Sequence, residues 1–122
     1  MAKSVHTDVL DAALAVIATA DRISVCSTQP TTYAEAITTY KLAISTTPTF
    51  TGPAAGDVSG RKITVDQETL MTVDASGTAA HVALCISGTT KLLLVTTCTS
   101  QVLTAGNTVN IPAWDDEIAD PS

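Results

Sequence analysis

The chain has 122 residues, a net charge of −6 and a sequence pI near 4.5, which is enough for one domain and too little for a second with its own core. Its six Lys and Arg are spread along the chain, which removes nucleic acid from the expected partners, because phosphate binding needs a concentrated basic face. No run approaches the roughly 18 uninterrupted apolar residues of a membrane span, so a soluble chain with no membrane partner is expected.

Aromatic residues make up 3% and charged residues 15%. Globular domains average about 25% charged, so this core has to be assembled from small side chains. Thr and Val, branched at Cβ, sit well on pleated sheet, and the balance predicts a mainly β chain of α+β type. A single domain, 1–122, is expected, with a helix-and-strand part over 1–50 and an antiparallel β part over 51–122. Thr7 is placed to cap a helix that begins at Asp8 and runs towards Ala20, with Asp8 and Asp11 at the positive end of its dipole. Leu10, Ala13, Leu14 and Ile17 share one face of that helix and form a packing stripe. The apolar stretch 12–18 is not expected to be a signal peptide, because acids stand where positive charge belongs.

Ile23 and Val25 alternate with Ser24 and Cys26 as a short strand, which turns Cys26 away from Ile23 and Val25. Thr32-Tyr33-Ala34-Glu35 fits a capping box for a second, short helix, and 40–46 alternates as a strand. Pro48, Gly52, Pro53, Gly56 and Gly60 punctuate 47–60, which predicts a long surface loop of the kind at which partners bind. Strands follow at 61–66, 69–74, 78–87, 91–98, 101–103 and 108–111. The turns between them, at 74–77, 87–90 and 105–107, carry residues that favour antiparallel hairpins.

The expected architecture is therefore an antiparallel β-sandwich or meander with an N-terminal α-helix and a second short helix. A hairpin loop at 87–90 sets Leu84 opposite Leu93, Val82 opposite Val95 and Cys85 opposite Leu92. Both faces are then apolar, as in a central strand pair covered on each side. Asp115, Asp116, Glu117 and Asp120 read as a solubilising acidic end without the Asp-x-Asp-x-Asp-Gly spacing of a calcium loop.

No catalytic, cofactor or metal site is expected. His6 and His81 are the only histidines, and a nucleophile with its base needs one of them beside Ser, Cys or Thr. His81 shares a strand face with Cys85, but four residues along a strand span about 13 Å. Cys26, Cys85 and Cys98 lack Cys-x-x-Cys spacing, which predicts reduced, buried thiols, and the hairpin register keeps Cys85 and Cys98 apart. Gly-x-Gly-x-x-Gly, P-loop and His-Glu-x-x-His motifs are missing from the sequence. A thiol hydrolase using Cys85 or Cys98 would show itself by sensitivity to alkylation. The candidate interface residues are Pro48, Phe50 and Pro53 in the 47–60 segment, Arg61 and Lys62 as a pair able to bridge to an acidic neighbour, and Trp114. Trp114 either pins the C-terminal segment or anchors an interface.

The stretches TGPAAGDVSGRKITV at 51–65, GTAAHVAL at 77–84, LLLVTT at 92–97, LTAGNTV at 103–109 and IPAW at 111–114 resemble small structural proteins of tailed bacteriophages. The resemblance covers most of the chain beyond residue 50 and is one of texture, Thr-Ala-Gly-Val strands with few charges. It implies a non-enzymatic virion protein of the capsid decoration, or cement, type. Such a protein is made in the host cytoplasm and located on the outer surface of the capsid, where it bridges and stabilises the lattice of the major capsid protein. Self-association as a small homo-oligomer is a further expectation, and intersubunit disulfides through Cys26, Cys85 or Cys98 stay open. The alternative is a tail-associated or receptor- or carbohydrate-binding β-sandwich module, which would need exposed rings from Tyr33, Tyr40, Phe50 or Trp114.

Overall fold

The computed structural model describes residues 4–119. In chain order it contains helix α1 (Thr7–Ile17), β1 (Arg22–Cys26), a π-helical segment (Glu35–Thr39), β2 (Lys41–Ser45), β3 (Phe50–Ala55), β4 (Arg61–Val65), β5 (Glu68–Thr72), β6 (Gly77–Ile86), β7 (Lys91–Leu103), β8 (Thr108–Ile111) and β9 (Trp114–Ile118). The fold is mainly β, with every strand pair antiparallel. Contacts divide the chain into two compact, interleaved units, one built from 4–19, Thr49–Gln67 and 112–119, the other from Ala20–Pro48 and Glu68–Ile111. Neither coincides with the 1–50 and 51–122 parts read from composition.

In the first unit, α1 lies against a three-stranded sheet ordered β3-β4-β9. The helix cap is His6 and not Thr7, because the imidazole Nδ1, one position earlier, accepts the Asp8 amide at 3.1 Å. The helix stops at Ile17, short of Ala20, where the Thr19 hydroxyl donates to the Val16 carbonyl at 2.6 Å. Of the expected stripe, Leu10 and Leu14 are buried, Ile17 is half-buried and Ala13 is exposed, so the stripe is one i,i+4 pair wide. Ile63 and Val65 of β4 supply the buried side of the sheet.

Two further expectations fail in this unit. The segment 47–60 is not a long loop, because Phe50–Ala55 is an edge strand paired with β4. Pro53 is tolerated there because an edge strand needs no ladder donor on its open side and the register slips between Thr51 and Ala54. The acidic end is likewise not a loose tail: Trp114–Ile118 is a strand, pairing Trp114 with Val65 and Glu117 with Lys62. Asp120 lies outside the described residues.

The second unit holds a sheet ordered β2-β1-β6-β7 and a two-stranded β5-β8 sheet. The short helix is widened into a π-helical segment. Its Thr32 hydroxyl accepts the Glu35 amide at 3.1 Å, while the Glu35 carboxylate turns to the amide and hydroxyl of Thr31, at 2.8 and 2.7 Å, and not to Thr32. Ala36, with Tyr33, Ile37 and Tyr40, packs on Cys26, Ala83 and Cys85. Ser24, buried among them, donates to the Ala36 carbonyl at 2.6 Å, which satisfies its hydroxyl.

Cys85 pairs with Leu92 as the sequence predicts. A bulge between Leu84 and Cys85 then moves the rest of the ladder by one residue, setting Leu84 opposite Leu94 and Val82 opposite Thr96, in place of Leu93 and Val95. The expected break between 91–98 and 101–103 is a second irregularity inside one continuous β7. The doubly buried central pair is β1 with β6, and not β6 with β7, because β7 closes the sheet at its edge.

Candidate interaction surface

All the candidate interface residues except Pro48, which belongs to the second unit, fall on the three-stranded sheet: Phe50 and Pro53 on β3, Arg61 and Lys62 on β4, Trp114 on β9. Phe50, Val65 and Trp114 form one row across β3, β4 and β9, so their side chains share the face that also carries Ile63. Phe50 and Trp114 are half-buried there, and Pro53 is exposed. Trp114 is thus built into the sheet, its indole N–H donating to Asp116 Oδ1 at 3.2 Å.

Arg61 and Lys62 both bridge to acidic neighbours, and the neighbours belong to this chain. Arg61 faces α1, its Nε 2.7 Å from Asp11 Oδ1. Lys62, on the opposite face, places Nζ 2.7 Å from Asp57 Oδ1 and 3.3 Å from Asp115 Oδ2, and these hydrogen bonds raise its pKa. Asp115 also accepts from the Thr64 hydroxyl at 2.7 Å. The outward face of the sheet is therefore a polar surface in which one lysine sits among Asp57, Asp115 and Glu117.

The feature that sequence reading missed is the tip of the β3–β4 hairpin. Glu117 reaches from β9 and accepts the backbone amides of Asp57 and Val58, while the Gly56 amide donates to the Gly60 carbonyl at 2.9 Å. The loop is held from both sides, and at its end Val58 is 89% exposed. The local signal was a single valine bracketed by Gly56 and Gly60. The carboxylate that fixes the loop is some 60 residues away in sequence, at |i−j| of 59 to 60.

Burial lifts the Asp116 carboxyl above the ordinary carboxylate value, with the Trp114 hydrogen bond opposing, and its Oδ2 is buried without a partner. Asp115, on the other face of β9, is held below that value by the Thr64 hydroxyl and by Lys62. A raised folded-state value means the native state holds the proton more tightly. Asp116 therefore contributes stability that is present below the unfolded pKa and is lost as pH rises through the folded one. Asp115 contributes stability above the unfolded pKa that is lost as pH falls through its lowered value. Carboxyl NMR titration should place Asp116 above and Asp115 below the ordinary value of 3.8. Asp116→Asn should raise stability near neutral pH by about 1 kcal/mol. A loss of stability in that variant would contradict the placement of Oδ2.

Cys26 lies opposite His81 in the β1–β6 ladder, a Cys/His juxtaposition that sequence spacing did not reveal. The Cys26 thiol is turned to the Ala36 carbonyl and the Ser24 hydroxyl, both at 3.6 Å, while His81 Nδ1 is buried without a partner. Burial raises the pKa of all three thiols, that of Cys85 to about 11, so they carry protons at neutral pH. Cys26 and Cys85 are buried, Cys98 is half-buried, and all are free. Among the described residues no group of His, Cys, Asp and Glu is placed to hold a metal ion, and no helix is long and apolar enough to cross a membrane. An open groove of about 380 Å³ in the second unit is lined mainly by hydroxyls, with Glu68 and Asp74 and without His or Cys. No family profile, curated protein or solved structure matches the chain.

Proposed function

We propose that this chain is a non-enzymatic structural protein of a phage virion, a capsid decoration protein that binds the outer surface of the major capsid protein lattice and stabilises it. The observation that carries the reading is the fixed β3–β4 tip. A loop already ordered by Glu117 and presenting Val58 loses little conformational freedom on docking, so even a small contact retains its free energy. Repetition over a lattice multiplies that small contact. The carboxylates behind the tip offer complementarity to a basic capsid surface.

The alternative, a carbohydrate-binding module, is less favoured. Tyr33 and Tyr40 pack on the Cys26 cluster and Phe50 and Trp114 are half-buried, so none of the four rings is a fully exposed platform for a sugar.

Co-sedimentation with expanded capsids tests the proposal. The chain should pellet with capsids, and Val58→Asp should weaken retention by roughly tenfold or more while leaving the fold intact. Retention unchanged both by Val58→Asp and by replacement of 57–59 with glycine would remove the tip from the interface and the reading with it.

A further inference from the structure

The two edges of the β2-β1-β6-β7 sheet are treated differently. The β2 edge is covered: Ala43 bridges Val73, the Leu42 carbonyl accepts the amides of Asp74 and Ala75 at 2.7 and 3.2 Å, and Lys41 pairs with Asp74 at 3.1 Å. The β7 edge is open. Among the described residues its one hydrogen-bonded neighbour is β6, so alternate backbone N–H and C=O groups along Lys91–Leu103 point outward without a strand to meet them.

The deterrents on this edge are confined to Lys91 and to two irregularities that flank a regular stretch. β7 contains no proline and no acidic residue, and its single charge is Lys91 at the very start. Leu92 and Val95 pack against the Cys26 core and remain half-exposed. The stretch Leu94–Thr97 pairs regularly with β6, between the bulge at Leu93 and the irregularity that follows Thr97. It is therefore the part of the edge flat enough to template another strand.

We propose that β7 is a self-association edge, at which a second copy of this chain adds its own β7 antiparallel, joining two four-stranded sheets into one across a two-fold axis. The occupant is argued from charge and symmetry. A chain of net charge −6 resists meeting itself through its acidic surfaces, and β7 is a long strand free of acidic residues. In an antiparallel pair centred on Val95, each Lys91 stands opposite Thr99 of the other copy, Leu92 opposite Cys98, Leu94 opposite Thr96 and Val95 opposite its own counterpart. A short edge pairing buries less than a standard interface, so the dimer is weak and concentration-dependent.

Sedimentation velocity over a roughly hundredfold concentration range is expected to show a reversible monomer–dimer equilibrium in the isolated chain. Hydrogen exchange of the amides in 92–97 should slow as concentration rises. Thr97→Lys, at an exposed position, should shift the equilibrium to monomer by about tenfold or more in Kd, and Leu94→Lys should do so further. Circular dichroism reports whether each variant is folded, and if Leu94→Lys is not, Thr97→Lys carries the test alone. Val58→Asp, on the hairpin tip, should leave dimerisation unchanged, which separates this proposal from the capsid contact. A chain that stays monomeric at every concentration, or a dimer indifferent to a folded Thr97→Lys variant, would overturn the proposal.

Discussion

Gly60→Ala is expected to destabilise the three-stranded sheet by about 3 kcal/mol or more. Two costs add. Gly60 has φ +70, in the left-handed region where a Cβ costs about 1–2 kcal/mol. The added carbon would also lie 1.9 Å from the Ile118 carbonyl oxygen, a backbone atom that cannot rotate away. Relief requires the end of β9 to move off β4, where Ile118 pairs with Arg61, and this also disturbs the loop that Glu117 fixes. Gly106→Ala is the control. It has φ +93 but nothing within 4 Å of the new carbon, so only the conformational cost of about 1–2 kcal/mol remains. Trp114 sits on β9 opposite Val65, so fluorescence-monitored urea unfolding reads the sheet in question directly. Equal losses in the two variants would contradict the close approach of Gly60 to Ile118.

Leu84→Ala should cost about 2–5 kcal/mol through the transfer and cavity terms together. Leu84 is 1% exposed on β6, flanked in the ladder by Ile23 of β1 and Leu94 of β7, and both its strand neighbours, Ala83 and Cys85, are fully buried on the other face. A strand buried on both sides has little freedom to collapse into the vacated space. Leu84→Met, close in volume, should cost less than about 1.5 kcal/mol. Thermal unfolding followed by far-ultraviolet circular dichroism distinguishes the two, and an alanine variant as stable as the methionine one would mean that the β1–β6 pair is not the core of its unit.

The elements that sequence made legible are those whose signals are local. The i,i+4 leucines of α1, the alternation in β1 and the turn residues at 87–90 each act within a few positions, and each lies where expected. Apart from the cap at His6, the end of α1 and the Glu35 half of the capping box, the misses are non-local. β3 carries Gly52 and Pro53, which read as loop unless one knows that the strand lies at an edge with an irregular register. β9 reads as an acidic tail because its carboxylates outnumber its apolar residues. Yet Trp114, Asp116 and Ile118 alternate with Asp115 and Glu117, whose partners Lys62, Thr64 and the 57–58 amides come from more than 50 positions upstream. The apolarity of β7 on both faces was read as central placement. Its position at the edge depends on which strand pairs with β1, and nothing within β7 encodes that choice. Of the residues expected at an interface, Phe50, Pro53, Arg61, Lys62 and Trp114 share one sheet, while Val58 and Glu117 carry no signal in residue type, since exposure at a pinned tip is a property of the fold.

Cryo-electron microscopy of virus particles purified from the source of this sequence tests the proposed capsid role most directly. Density for the chain is expected on the outer surface of the head, with the β3–β4 tip and Val58 turned to the major capsid protein. Density confined to the tail, or particles without the chain, would contradict it.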